Sequence, residues 1–305
     1  MPESAKKSVL TEDVSDGNTT GVTIGVYLSG DTLFIAPSKP YSYEIYAQAE
    51  SSNLFKSSNS YAGTQMASVT EITFENFNTS NTTSMESWFS GCRALTSLTG
   101  IGNFDTSKVT AMNSTFYNCT KLTSLTGIEN WDVSEVTTMR SMFNNCSSLT
   151  SLPNLKKWDT GKVNSMYYMF LGCSSLTSLT GIENWDVSEV TTMYKMFNGC
   201  SELTTLDISG WKISTDKLTD TREMFANSSK LATIYASVDG DGTEKPNFTG
   251  TKLSNSSNMF AGCINLKGGN GTQCDGGNNI DKTYARIDKD GQLGYFTDVS
   301  TKTTG

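Results

Sequence analysis

Five cysteines keep a fixed beat along the chain: Cys92, Cys119, Cys146, Cys173 and Cys200 are each 27 residues from the next. A disulfide framework has no reason to keep such a beat. A solenoid does, because every coil returns the same sequence position to the same place in space. The beat then slips. Ser228 takes the position after 28 residues and Cys263 follows after 35, while Cys274 stands outside the pattern.

The rest of the unit repeats around this marker. Before it stand Trp88-Phe89, Thr115-Phe116, Met142-Phe143, Met169-Phe170, Met196-Phe197, Met224-Phe225 and Met259-Phe260. After it come leucine pairs such as Leu122 and Leu125 or Leu149 and Leu152, then one aromatic per coil: Phe104, Trp131, Trp158, Trp185, Trp211 and Phe248. Residues 122–139 and 176–193 are identical. This is internal duplication, and it predicts an array of about seven coils.

Each coil can be read physically. Leu203-Thr-Thr-Leu206-Asp-Ile208 follows the L-x-x-L-x-L pattern of a short parallel strand. Past the aromatic corner the period changes: Val136, Met139, Met142 and Phe143 lie at i, i+3, i+6 and i+7, the spacing of one helix face. The expected fold is therefore an α/β repeat, a leucine-rich-repeat-like solenoid with a short parallel strand and a short helix per 27-residue coil. Seven such coils would form a rod about 30–35 Å long.

A solenoid needs its open ends covered. Residues 1–20 are polar and aperiodic and read as a disordered tail. Residues 21–70, with a hairpin turned at Ser29-Gly30-Asp31, read as an N-terminal β cap. The solenoid runs from 71 to 267 and a C-terminal cap from 268 to 298, with a hairpin at Asp290-Gly291 and a polar tail over 299–305. The segment from Ala236 to Asn247 reads as an exposed loop between the last two coils.

Composition closes off several functions. The chain has no histidine, which removes Ser-His-Asp and Cys-His nucleophiles, His-ligated metals and histidine pH switches. A net charge of −8 argues against a nucleic-acid surface. No apolar run reaches the length of a membrane-spanning helix. Ser and Thr number 40 and 42 of 305 residues, so only the regular placement of the scarcer apolar residues favours a fold over disorder.

The unit W-D-x-S-x-V-T-x-M-x-x-M-F-x-x-C-x-x-L-T-S-L resembles the repeat of BspA-like leucine-rich-repeat surface proteins, also found in mycoplasma lipoproteins. Gly268-Gly269-Asn270-Gly271-Thr272 with Tyr284-Ala285-Arg286-Ile287-Asp288 and Gly294-Tyr295-Phe296-Thr297 is similar to that family's closing segment. The resemblance covers about residues 70 to 298. It implies a secreted or cell-surface bacterial protein with a role in adhesion to host matrix or cells. The chain shows no apolar leader, lipobox cysteine or wall-sorting motif, which leaves a phage virion or tail-associated receptor-binding protein as the alternative.

Each chemical candidate has a plainer structural reading. The column Cys92, Cys119, Cys146, Cys173 and Cys200 lacks the close pairs of a metal site and reads as small buried core residues. Cys263 and Cys274, eleven apart, are a candidate disulfide stapling the C-terminal cap. The Trp/Phe column reads as packing rather than a sugar platform. Asp105, Asp132, Asp159 and Asp186 read as caps at the start of each helix rather than as calcium ligands or an acid–base pair. What remains for ligands is the strand face: Ser97, Thr99, Ser124, Thr126, Ser151, Ser178, Thr180, Thr205 and Asp207. The expected protein is a monomer that catalyses nothing, holds no cofactor or metal, and binds an extracellular protein or glycan surface.

Overall fold

The computed structural model describes residues 24–29, 32–37, 45–46, 54–55, 69–75, 77–250 and 252–302. The expected disordered tail over 1–20, the linking parts of the N-terminal segment and the last three residues lie outside them. One core cluster runs from Val69 to Phe296 and includes the cysteines, leucines, tryptophans and phenylalanines of every coil. Each coil shares that core with its neighbours, so a chain poor in apolar residues still buries them almost completely.

Among the described residues there is no α-helix, which corrects the expected helix of each coil. Val136, Met139, Met142 and Phe143 are all fully buried, but a chain of tight turns carries them. Two positions per coil take positive φ: Ser141 at 56° and Asn145 at 59° in one coil, Tyr168 at 60° and Gly172 at 70° in the next. A right-handed helix cannot pass through such residues. Alternate amides instead bond to the following coil, with Ser141 N donating to Tyr167 O (2.8 Å), Phe143 N to Met169 O (2.9 Å) and Asn145 N to Leu171 O (2.7 Å). The amides between them close turns on the carbonyl three residues back, as Met142 N does on Met139 O. Three-residue turns and helical turns both return side chains inward at similar spacing. That is why the burial pattern resembles a helix.

The strands are shorter than expected. On the leucine side they are β4 (Glu71–Phe74), β6 (Ser97–Thr99), β7 (Thr205–Asp207) and β8 (Thr233–Val238). Between β6 and β7 the parallel pairing thins to single bridges such as Ser151 with Ser178. Three coils carry an extra residue here, a glycine in left-handed conformation (Gly100, Gly127 and Gly181). Gly127, at φ 110°, opens a 3-10 turn over Ile128–Asn130, and a β-carbon on it would meet Gly102 Cα at 2.8 Å. The longest ladder lies elsewhere, linking Ser84, Ala111, Thr138, Ser165, Thr192, Asp220 and Asn255 by parallel bridges.

Phenylalanines form a spine. Phe55, Phe89, Phe116, Phe143, Phe170, Phe197, Phe225 and Phe260 stack in succession, 5.3–5.8 Å apart and within 11° of parallel. The tryptophans are buried, and the indole N–H groups of Trp131, Trp158, Trp185 and Trp211 are satisfied one coil back, as in Trp131 Nε1 to Ile101 O at 2.8 Å, while that of Trp88 in the first coil finds no partner among the described residues. An outer column alternates in charge (Lys108, Glu135, Lys162, Glu189, Lys217), and Lys162 pairs with Glu135 at 2.6 Å and Lys217 with Glu189.

Both ends of the array are engaged. At the start, β1 (Ile24–Ser29) and β2 (Thr32–Pro37) form an antiparallel hairpin, and β2 pairs in parallel with β4. β3 (Ile45–Tyr46) pairs with β5 (Phe77–Asn78). Phe55 continues the spine, and its amide donates to Trp88 O at 2.8 Å. At the other end β10 (Phe296–Asp298) adds in parallel to β8, and Asp288 accepts from Asn270 N, Thr272 N and the Thr272 hydroxyl at 2.7–2.9 Å. The segment 236–247 is not simply an exposed loop. β9 (Glu244–Lys245) folds back on β8, and the Glu244 carboxylate accepts from Ile287 N and Gln292 Nε2 and pairs with Lys289 at 2.8 Å.

Candidate functional site

The nominated face splits in two. Thr99, Ser124, Thr126, Ser151, Ser178, Thr180 and Thr205 are exposed, while Ser97 and Asp207 are half-buried. Two of the three threonines one position before the serines are occupied by the array, with Thr123 Oγ1 donating to Thr96 O and Thr177 Oγ1 to Thr150 O. The hydroxyls of Ser124, Ser151 and Ser178 bond to no protein group among the described residues, so this ladder is open to a ligand. Asp207 differs: Lys302 pairs with it at 2.8 Å, and Ser209 bonds it as well. Burial opposes its charge, but Lys302 and Ser209 together hold its carboxyl below the usual range.

The face ends in a groove of about 610 Å³ lined by Thr233, Tyr235, Lys267, Asn270, Thr297 and Thr301. Lys302 lies 5.0 Å from the Tyr235 ring at its rim.

The cysteines are buried, and each points at a carbonyl of the preceding coil. Cys119 Sγ donates to Phe89 O, Cys146 to Phe116 O and Cys173 to Phe143 O, all at 3.1 Å, and Cys200 to Phe170 O at 3.3 Å. Cys92 does the same to Phe55 O at 3.2 Å. Cys263 and Cys274 are not a disulfide. Cys263 donates to Phe225 O and Cys274 to Phe260 O, so they are successive members of one column rather than partners. Cys274 therefore belongs to the beat that its sequence position conceals.

The acidic column has a role other than the expected one. Asp132 Oδ1 accepts from Ser134 N at 2.9 Å, Asp159 from Gly161 N and Asp186 from Ser188 N, and Asp105 from both the amide and the hydroxyl of Ser107. These are turns closed by a side chain two residues on. No helix follows for them to cap. Among the described residues no group of three or more Cys, Asp or Glu is placed to hold a metal.

A second surface lies on the turn segments. Arg140 sits 4.9 Å from the Tyr167 ring, Tyr167 is 5.2 Å from Tyr194, and Arg222 lies 4.7 Å from the Tyr194 ring. Tyr168 is 5.3 Å from Tyr194, and Lys195 lies 5.1 Å from the same ring. The strip spans four coils.

Residues 52–154 and 150–268 match the family model described as "Mycoplasma protein of unknown function, DUF285". The chain belongs to this family. The BspA-like repeat resemblance overlaps these residues from about 70 to 268. Similar solved structures include a leucine-rich repeat protein of Bacteroides ovatus, 15% identical over 83% of this chain and 82% of that one, with a TM-score of 0.33. Another is the leucine-rich repeat protein of T. pallidum, 14% identical over 60% of this chain and 87% of that one, TM-score 0.29. A search of curated proteins finds no match.

Within the DUF285 unit, the strip occupies the two variable positions between the buried residues of Met-x-x-Met-Phe, with Thr221 in place of the first Met in the last coil. They hold Arg140-Ser141, Tyr167-Tyr168, Tyr194-Lys195 and Arg222-Glu223 in successive coils. A search for repeated residues passes over them because they do not repeat. The signal that finds them is the reverse: positions that vary while their neighbours stay constant.

Proposed function

We propose that this protein is a non-enzymatic surface or secreted binding protein that presents a rigid solenoid face to a macromolecular partner in adhesion. The observation that carries this reading is the ladder of unoccupied Ser124, Ser151 and Ser178 hydroxyls on successive coils. Equivalent groups repeated at coil spacing suit weak contacts made many times along an extended partner, where affinity comes from multivalency. The column aspartates Asp105, Asp132, Asp159 and Asp186 are absorbed into turns and the cysteines into core contacts. Membership of a family resembling bacterial surface proteins supports the same reading.

The test is an array of matrix proteins and glycans probed with the native protein and with Ser124→Lys, Ser151→Lys and Ser178→Lys combined. Binding should be lost in the triple variant with the melting temperature nearly unchanged. Retained binding would move the site off this face, and turnover of any polysaccharide in a hydrolysis screen would overturn the non-enzymatic reading.

A further inference from the structure

The duplicated stretch carries a second clue. Residues 122–144 and 176–198 differ at only two of 23 positions: Arg140-Ser141 in one copy is Tyr194-Lys195 in the other. Every other residue of the stretch is unchanged. Divergence is confined to the pair that builds the strip of Arg140, Tyr167, Tyr194 and Arg222.

The charges of the strip are unevenly matched. Arg222 is held by Asp220 at 2.7 Å and Lys195 by Glu223 at 3.3 Å. Arg140 is exposed and makes no ion pair among the described residues. In a chain of net charge −8, it is a cation held in place by an aromatic ring and left available to an outside anion. The three tyrosines are half-buried and tilted 38–51° to one another, so parts of their rings remain uncovered.

We propose that this strip binds a uronic-acid glycan, with a sugar carboxylate on Arg140 and the C–H face of a sugar ring against Tyr167 and Tyr194. Guanidinium pairs with carboxylate in a two-point geometry, and aromatic rings take the apolar face of a pyranose. An acidic peptide fits less well. The alternate amides of these turns are already bonded between coils, so no backbone edge is free to pair with a peptide. The proposal rests on the reading of the chain as a binding protein but uses a different stretch of each coil.

Titration calorimetry on the full chain tests it with four probes: a galacturonic acid hexamer, a hyaluronan hexasaccharide, the methyl-esterified galacturonate hexamer and hexaglutamate. The native protein should bind at least one acidic glycan, and the methyl ester and the peptide at least tenfold more weakly. Arg140→Gln and Tyr194→Ala should each weaken binding about tenfold, the size of one lost charge-assisted or cation–π contact. Tyr194→Phe keeps the ring and should retain binding. Melting curves of the variants exclude a folding defect, and the triple lysine variant of the strand face should bind these glycans normally. Absence of binding to both acidic glycans, equal binding of the ester, preference for hexaglutamate, or undiminished binding by folded Arg140→Gln would each overturn the proposal. Loss of array binding only in the strand-face variant, or only here, separates the two readings.

Discussion

Cys146 Sγ donates to the carbonyl oxygen of Phe116, one coil back and 3.1 Å away. The contact ties the cysteine column to the phenylalanine spine, since Phe116 stacks on Phe143, three residues before Cys146. Burial pushes the thiols of Cys119 and Cys146 well above their ordinary range and that of Cys173 up to about 12. Thiolate is therefore scarce at neutral pH, and these cysteines should be chemically inert. Labelling of the native protein at pH 8 should be slow and become complete only on denaturation. Fast native labelling would show that the column opens.

Ser228 stands at the same place and donates to Phe197 O at 2.9 Å. A hydroxyl thus replaces the thiol without loss of the contact. Cys146→Ser should cost no more than about 1 kcal/mol, whereas Cys146→Leu should cost about 1–3 kcal/mol from overpacking. Urea denaturation of the two variants decides it; equal costs would mean the site has spare room.

Some of this design is legible in the sequence and some is not. The inward residues are readable because the apolar spacing is the same for helices and for three-residue turns. The turns themselves are half-announced. Gly91, Asn118, Asn145, Gly172, Gly199, Asn227 and Gly262 all take positive φ, and Gly and Asn are the residues that favour it. The second column takes positive φ with Ser141, Tyr168, Lys195 and Glu223, residues that give no local hint; only the bonds between coils hold them there. Phe55 and Cys274 complete the spine and the thiol column from irregular spacings, which no periodic reading reaches. The strand face is legible as alternation, and the Arg140–Arg222 strip is hidden because it varies.

The turn conformation makes its own prediction. Asn145 sits at φ 59°, and its Nδ2 donates to Asn118 Oδ1 at 3.0 Å. Asn145→Gly keeps the backbone geometry and should cost under about 1 kcal/mol. Asn145→Val places a β-branched residue in left-handed conformation and should cost about 2 kcal/mol. A helical segment would rank the two the other way, so denaturation midpoints distinguish turn from helix.

Leu152 is buried and its neighbour Ser151 is exposed. Leu152→Ala should cost about 2–5 kcal/mol, as for other core leucines, and Ser151→Ala less than about 0.5 kcal/mol. Thermal melts of both variants check the assignment of faces. Similar shifts in the two would reverse it.

The C-terminal end should be the acid-sensitive part of the array. Asp288 is buried; burial opposes its charge, yet the Thr272 hydroxyl and the amides of Thr272, Asn270 and Gly294 hold its carboxyl below the ordinary value. A carboxylate with a lowered folded-state pKa adds stability above the unfolded value of about 4, and that stability is lost as pH falls through the folded value. Glu244, held low by Lys289, Gln292 and the Ile287 amide against the effect of burial, acts in the same direction. Acid should therefore loosen the loop over 268–272 and the hairpin at 289–292 before the middle coils, whose cores contain no carboxylate. Hydrogen exchange at pH 3 and pH 6 would show it as deprotection of Thr272 and Asp288 amides while Phe143 and Phe170 stay protected. Asp288→Asn should flatten this pH dependence, because an amide does not titrate, at a cost of about 1–3 kcal/mol at neutral pH from a weakened buried network. Uniform deprotection along the chain would mean that acid unfolds the solenoid as one unit.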